Sequence, residues 1–259
     1  WHHNSCMDSQ ERQLRILDLA RAEGKVDVAG LASTFGIAVE TARRDLRALV
    51  DRGVLRRVHG GAVAVETTGF ESDAGYRASA NVREKRRIAS AAAALLHGAE
   101  SVYLDEGFTP RLIAEELASV ARLTVVTASL PAAQALASST GVTVLLLGGR
   151  MRGRTLATVD HWALRMLCEL QIDVAFLGAN GISREHGLTT PDPAVAAIKT
   201  AAVNQSRRRV LVGTHTKFGV SSFCRFAMVP DFETIVTDQG LSVHEAKRYE
   251  ALGPRVLRI

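Results

Sequence analysis

The run Thr41-Ala42-Arg43-Arg44-Asp45-Leu46-Arg47, followed closely by Arg56-Arg57-Val58-His59-Gly60-Gly61-Ala62, constrains the fold more than any other feature of the chain. At about 100° per residue of helix, Ala42, Leu46 and Leu49 share one arc while Arg43, Arg44 and Arg47 share the opposite one. The spacing predicts a helix that buries alanine and leucine and turns guanidinium groups outward. Residues 43–57 hold six arginines against two aspartates, a local excess that says more than the formal net charge of +5.

The flanking residues predict what this helix belongs to. Asp8 and Glu11 have the form of a capping pair, and Leu14, Leu17, Leu19 and Ala20 supply the apolar face of a first helix ending near Gly24. Residues 25–27 look short and extended. A second helix has Asp27 as its cap, Leu31, Ala32 and Phe35 inward, and Gly36 as its stop. Ala38 stands where a serine or threonine would cap the arginine helix, a loss of about 1 kcal/mol. Val54-Leu55-Arg56-Arg57-Val58 and Ala62-Val63-Ala64-Val65 then form two strands around His59-Gly60-Gly61, so the helix-turn-helix is expected to carry a wing.

Such a module suits double-stranded DNA. With the third helix in the major groove, Glu40 and Thr41 near its start approach base edges, and Arg44 is the candidate for reading a base. Arg43, Arg47, Arg56 and Arg57 are placed for phosphate, and His59, Gly60 and Gly61 let the wing backbone approach the minor groove or the strand beside it. An isolated arginine run is better explained as a solvated, salt-bridged helical face. Helix, turn, helix and wing in one stretch favour DNA.

A chain of 259 residues exceeds one such module. It fits two domains of about 60 and roughly 180 residues, taken as a DNA-binding domain at residues 8–66, a linker at 67–81 and an effector-binding and oligomerisation domain at 82–259. Apolar residues at 47% and charged residues at 23% exclude a disordered chain. No uncharged apolar run approaches the roughly 18 residues that span a bilayer, so a soluble protein is expected. Cys6, Cys168 and Cys224 are odd in number and widely spaced, signalling neither a disulfide framework nor a zinc site; a reducing cytoplasm is the simplest inference. Trp1-His2-His3-Asn4-Ser5-Cys6 lacks the apolar core of a secretory signal and is taken as an extension ahead of Met7, with His2, His3 and Cys6 only a weak metal candidate. Neither a metal nor a cofactor is expected.

Beyond residue 81 the pattern changes. Val102-Tyr103-Leu104, Leu123-Thr124-Val125-Val126, Val142-Thr143-Val144-Leu145-Leu146-Leu147, Val174-Ala175-Phe176-Leu177 and Val210-Leu211-Val212 are short apolar runs separated by stretches of helical composition. That alternation predicts an α/β domain with a mostly parallel sheet covered by helices. Polar loops follow the runs, where such sheets hold ligands: Asp105, Glu106, Gly107, Phe108 and Thr109 ahead of a helix that Pro110 suits; Thr127, Ala128 and Ser129; Gly148, Gly149 and Arg150; and Gly178-Ala179-Asn180-Gly181. Small residues let backbone N–H groups approach an oxyanion, and a helix start adds partial positive charge. Thr214-His215-Thr216 follows the fifth run, and Lys217 just beyond it, Arg150 or Lys199 supplies a cation. One glycine pair is ordinary turn chemistry; five polar loops at strand ends favour a pocket. His215 is read as a hydrogen-bonded loop histidine ahead of an acid or base, and Asp192, between two prolines, as a turn or helix cap as readily as a ligand contact.

Residues 8–65, with ETARRDLRALVDRGVLRRVHGGAV, resemble the amino-terminal winged domain of the DeoR family of bacterial transcriptional regulators. The likeness continues through EKRRIA, TVVTAS, LLLGGR, AFLGANGI, HGLTTPD and THTKFG. It implies that the larger domain is similar to ribose-phosphate isomerase and coenzyme A transferase folds, that it senses a phosphorylated sugar or related metabolite, and that binding represses a carbohydrate operon. The chain departs from the family at Ala38, where a serine cap is usual, and at Phe108 and Pro110, where hydroxyl residues are usual and only Thr109 remains. Ala196 and Ala197 likewise offer no acidic residue ahead of Lys199.

The leading expectation is a ligand-controlled regulator of duplex DNA, at least a homodimer through its larger domain, because winged modules generally bind paired half-sites. Two alternatives stand beside it. One is a sugar-phosphate isomerase or coenzyme A transferase fused to a DNA-binding module, using Asp105 or Glu106 with Lys217. The other is an architectural protein whose second domain only oligomerises.

Overall fold

The computed structural model describes residues 8–23, 25–52, 54–64 and 81–259, with the side chains of Arg21, Ala22, Arg56 and Ala64 excepted. The opening residues with His2, His3 and Cys6, the helix stop at Gly24, Val65, and linker residues 67–80 therefore lie outside the described residues. The chain divides into two units, Trp1–Ala80 and Asn81–Ile259.

The first unit contains α1 (Ser9–Glu23), α2 (Val28–Phe35), α3 (Val39–Asp51), β1 (Leu55–Val58) and β2 (Gly61–Ala64). In α1 the buried apolar residues are Ile16, Leu17 and Ala20, not the expected Leu14-Leu17-Leu19-Ala20 set. The i, i+3, i+4, i+7 arc runs 13-16-17-20, which leaves Leu14 and Leu19 only half-buried at its margins. Glu11 turns to Arg15, one turn on, at 2.8 Å rather than back to the cap.

Asp27 accepts from the Gly30 N–H at 2.9 Å, opening α2. Gly36 closes it with φ at 62°, a left-handed position suited to glycine. No side chain caps α3 at Ala38. That helix buries Ala42, Asp45, Leu46 and Leu49 against Ile16, Leu17, Leu31 and Leu55. β1 and β2 pair antiparallel around His59-Gly60, and Val26 exchanges both backbone hydrogen bonds with Ala62 (2.9 and 2.8 Å) as a third element of the wing. At Gly61 a Cβ would lie 2.2 Å from the Val26 carbonyl oxygen, so only glycine permits that approach.

The second unit is built on a seven-stranded parallel sheet in the order β14-β13-β11-β8-β3-β4-β5. Its strands are β3 (Ser101–Leu104), β4 (Leu123–Thr127), β5 (Val142–Leu146), β8 (Ile172–Leu177), β11 (Ser206–Val212), β13 (Thr234–Thr237) and β14 (Arg255–Arg258). The five runs seen in the sequence are β3, β4, β5, β8 and β11. The sheet exceeds them by β13, four residues bounded by threonines, and by β14, whose ends are arginines.

Strand alternation sorts the core onto two faces. Val102, Leu104, Val125, Val174, Phe176 and Val210 meet α4 (Val82–Ala93), α5 (Phe108–Leu117) and α6 (Leu130–Leu136). Tyr103, Val126, Ala175, Leu177 and Leu211 meet α7 (Asp160–Cys168), α8 (Pro193–Gln205) and α9 (Val243–Glu250). Two antiparallel additions break the simple alternation: a hairpin of β6 (Arg150–Arg152) and β7 (Ala157–Val159), and a three-stranded sheet of β9 (Gly181–Ser183), β10 (Gly187–Thr190) and β12 (Cys224–Ala227). No helix among the described residues is long and apolar enough to cross a membrane.

Candidate functional site

In the first unit, α3 presents Glu40, Arg43, Arg44 and Arg47 to solvent, with Thr41 half-buried beside them. Arg43 is partly neutralised by Glu40 at 2.8 Å, one turn back. A groove of about 410 Å³ runs between α3 and the wing, walled by Arg43, Leu46, Arg47 and Val50 on one side and Arg57, Val58, Gly61 and Ala62 on the other. The structure thus gathers Arg43, Arg47, Arg57 and Gly61 around one concave surface. Arg44 is exposed on the same helix but does not line the groove. His59 and Gly60 form the exposed wing turn, with Gly60 at φ 75°; the Arg56 side chain lies outside the described residues.

Two polar groups that sequence reasoning passed over set this surface. Lys25 donates from Nζ to the His59 carbonyl at 3.0 Å and steadies the wing turn. Asp45 is buried, accepting from Arg12 Nε at 2.6 Å and Gln13 Nε2 at 2.9 Å, and so docks α3 on α1. Gln13 in turn accepts from Arg52 at 2.9 Å. A signal for Asp45 was present: it stands three residues from Ala42 and four from Leu49, on the buried arc.

In the second unit, the polar loops lie at the carboxyl ends of the parallel strands, as expected of an open α/β sheet. Asp105 is buried just after β3, where its Oδ2 accepts from the Gly178 N–H at 2.8 Å and from Lys199 Nζ. Lys199 reaches it from α8 and also donates to the Gly178 carbonyl at 3.1 Å. The acidic partner missing at Ala196 and Ala197 is therefore supplied by Asp105, 94 residues away in sequence. Asp105, Glu106, Ala128 and Lys199 surround one small cavity with Tyr103, Thr158 and Val159. The Tyr103 hydroxyl has no hydrogen-bond partner among the described residues. Burial first, and then the Asp105 and Glu106 carboxylates, push its pKa well above the usual phenol value, so it stays protonated.

Other candidate residues are engaged in building the loops. Thr127 donates to the Leu104 carbonyl at 2.7 Å and accepts from the Ser129 N–H at 3.0 Å, while Ser129 caps α6 by accepting from the Ala132 N–H. Gly149 has φ at 137°, and a Cβ there would sit 2.4 Å from the Val159 oxygen; Gly148 lies against Met166. Asn180 Oδ1 accepts from the Thr190 hydroxyl at 3.1 Å. Arg150 stands exposed and paired with Asp160 at 2.7 Å, apart from the Asp105 cavity.

α5 begins at Phe108, so Pro110 is its third residue rather than its first. Gly107 is the residue before the helix, and Thr109 is buried in its first turn. Phe108 is half-buried, with Lys85 Nζ and the Arg111 guanidinium 5.6 and 5.9 Å from its ring centre. Lys217 is half-buried in the 3₁₀ turn His215–Lys217. His215 Nδ1 lies 2.6 Å from buried Asp238, the hydrogen-bonded loop histidine expected. Asp192 caps α8, accepting from the Ala194 and Val195 N–H groups, and meets Arg152 at 3.0 Å.

Chemically, the first unit offers guanidinium groups beside a helix-and-wing groove. The second offers a recess whose buried cation is already matched by a carboxylate.

Residues 12–68 match the family model described as the DeoR-like helix-turn-helix domain, and residues 80–239 that of the DeoR C terminal sensor domain. Among similar proteins is an uncharacterized HTH-type transcriptional regulator, FruR, of Bacillus subtilis, 34% identical across 90% of this chain and 92% of its own length. Another is the glycerol-3-phosphate regulon repressor of Escherichia coli, 28% identical across 90% and 92% of the two chains. Among solved structures, ribose 5-phosphate isomerase A of Methanocaldococcus jannaschii aligns with 54% of this chain and 55% of its own, at 17% identity and a TM-score of 0.40. With both units matched by models from one family and a relative 34% identical over about nine-tenths of both lengths, the chain belongs to the DeoR family of helix-turn-helix transcriptional regulators.

Proposed function

We propose that this regulator is a cytoplasmic repressor whose residues 8–66 hold operator DNA, with residues 67–81 as linker. Residues 82–259 bind a small phosphorylated metabolite, a sugar phosphate or a close relative. The observation that carries the first half is the groove between α3 and the wing, with Arg43, Arg47 and Arg57 on its walls and Arg44 exposed beside it. Arg44 reads a base, and Arg43, Arg47, Arg56 and Arg57 hold phosphates.

For the second half, support comes from the first turn of α5, whose N–H groups follow the Asp105-Glu106-Gly107 loop, and from the name of the Escherichia coli relative. Lys217, half-buried in the 3₁₀ turn His215–Lys217 that follows β11, is the candidate cation. Lys199 and the Gly178 N–H engage Asp105, one of the two carboxylates that an isomerase reading would use as a base turned toward a substrate carbon.

The test is fluorescence anisotropy on a labelled duplex from upstream of the chain's own gene, repeated with a panel of sugar and polyol phosphates. Tight binding released by one of them, with a coupling of about 1–3 kcal/mol or about 5- to 150-fold, is the expected result. Indifference to duplex DNA at low salt overturns the proposal.

A further inference from the structure

Tyr103, the third residue of β3, is fully buried, with its ring in the apolar cluster that includes Leu177, Ile198 and Leu211. Packing accounts for the ring but not for the hydroxyl, which is buried without a hydrogen-bond partner among the described residues. Phenylalanine would fill the same space without burying an unpaired donor. The buried Tyr249, by contrast, donates from its hydroxyl to the Ile182 carbonyl at 2.9 Å.

Tyr103 lines the small recess that it shares with Asp105, Glu106 and Lys199. At about 10 Å³ the recess suits one oxygen-sized group. Its polar groups are only partly engaged. Asp105 accepts from the Gly178 N–H and from Lys199 at Oδ2, which leaves Oδ1 as an acceptor. Lys199 gives one N–H to Asp105 and one to the Gly178 carbonyl, out of the three that an ammonium carries. Two carboxylates against one ammonium disfavour a phosphate or carboxylate here. The matching group is neutral, accepts from the Tyr103 hydroxyl and donates to Asp105, which describes an alcohol.

We propose that Tyr103 is a specificity residue of the sensing unit, reading one alcohol hydroxyl of the effector in this recess with Asp105 as the acceptor. The inference rests on the reading that residues 82–259 bind a phosphorylated metabolite, and it narrows that class. Glu106, on the recess wall, lies two residues before Phe108, where α5 begins with its free N–H groups. One short carbon skeleton thus carries the hydroxyl at one end and the phosphoryl group at the other. The effector is a phosphorylated polyol or sugar, and a phosphorylated sugar acid with its carboxylate at this place is rejected.

The probes are glycerol, ribose, fructose and glucose phosphates, each beside its singly deoxygenated counterparts, with phosphoglycerate and phosphogluconate as the acids. Calorimetry measures their binding to the full wild-type chain and to Tyr103→Phe. In wild type, one deoxygenated counterpart of the best probe, and its acid, should bind about tenfold or more weakly than the probe itself. Tyr103→Phe should bind the best probe about tenfold more weakly, yet hold that deoxygenated counterpart within about twofold of wild type. The wild-type comparison needs no variant. Equal wild-type affinity for the probe and all its counterparts, a Tyr103→Phe chain that keeps the wild-type preference, or an equal loss for probe and counterpart would each overturn the proposal and leave the sensing reading in place. Binding of none of the probes would instead remove the phosphorylated-metabolite reading, and this inference with it.

Discussion

The Arg12 guanidinium and the Asp45 carboxylate meet at 2.6 Å with both side chains almost wholly buried, and they join the first helix of the DNA-binding unit to the helix that displays the arginines. A charge pair in this position holds geometry more than it adds stability, because desolvating both ions offsets much of their attraction. Removing one member is different, since it strands the other.

Asp45→Ala should therefore destabilise the first unit by about 3–5 kcal/mol and abolish duplex binding, leaving the unfolding of the second unit unchanged. Arg12→Met combined with Asp45→Leu should recover most of that stability. Denaturant unfolding followed by circular dichroism checks both, and a single Asp45→Ala variant as stable as wild type would show that the pair holds nothing.

Base reading and phosphate contact predict different losses. Arg44→Ala should cost about 1–3 kcal/mol on the operator and little on unrelated duplexes. Arg57→Ala should weaken every duplex alike and lower the salt slope by about one. Anisotropy titrations on both duplexes at several salt concentrations make the comparison. An equal loss on all sequences for Arg44→Ala would reassign that residue to phosphate.

Lys217→Ala should keep operator affinity close to wild type while losing release by the effector. Effector titration against a preformed DNA complex measures this, and a retained response would remove Lys217 from the pocket.

Asp238 gives a pH dependence. Burial alone would raise its pKa, but the bonds it accepts from the His215 and Gly240 N–H groups and from the His215 ring outweigh that and hold it below the usual carboxylate range. Its stabilising contribution is complete above that range and fades as pH falls through the depressed value. Asp238→Asn should thus lose about 1.5–3 kcal/mol at neutral pH, a deficit that shrinks in acid. Urea unfolding at neutral and acidic pH tests it; a deficit independent of pH would mean the carboxylate charge is irrelevant.

The arginine face of α3, the Asp27 cap and the Gly36 stop were legible because each depends on residues within a few positions. Sheet strands were legible where valine and leucine run together, as in β5 and β8. β13 and β14 were not: four residues framed by threonine or arginine carry too little periodicity to stand out. The three-residue strands β6, β7 and β9 have the same difficulty. At the recess, the sequence named Asp105 and Lys199 separately as ligand groups. Their union depends on β3 and α8 being brought together by the sheet, which no local pattern encodes. Asp45 was missed for another reason: an aspartate among arginines resembles a surface residue unless its place on the helical arc is counted.

Val26 exchanges two backbone bonds with Ala62, and the very next residue, Asp27, caps α2. Wing and helix-turn-helix are thereby welded through a single dipeptide. Tilting the wing must drag the start of α2, and through the Gly36 turn the arginine-bearing α3, so the module moves as one piece instead of finger by finger.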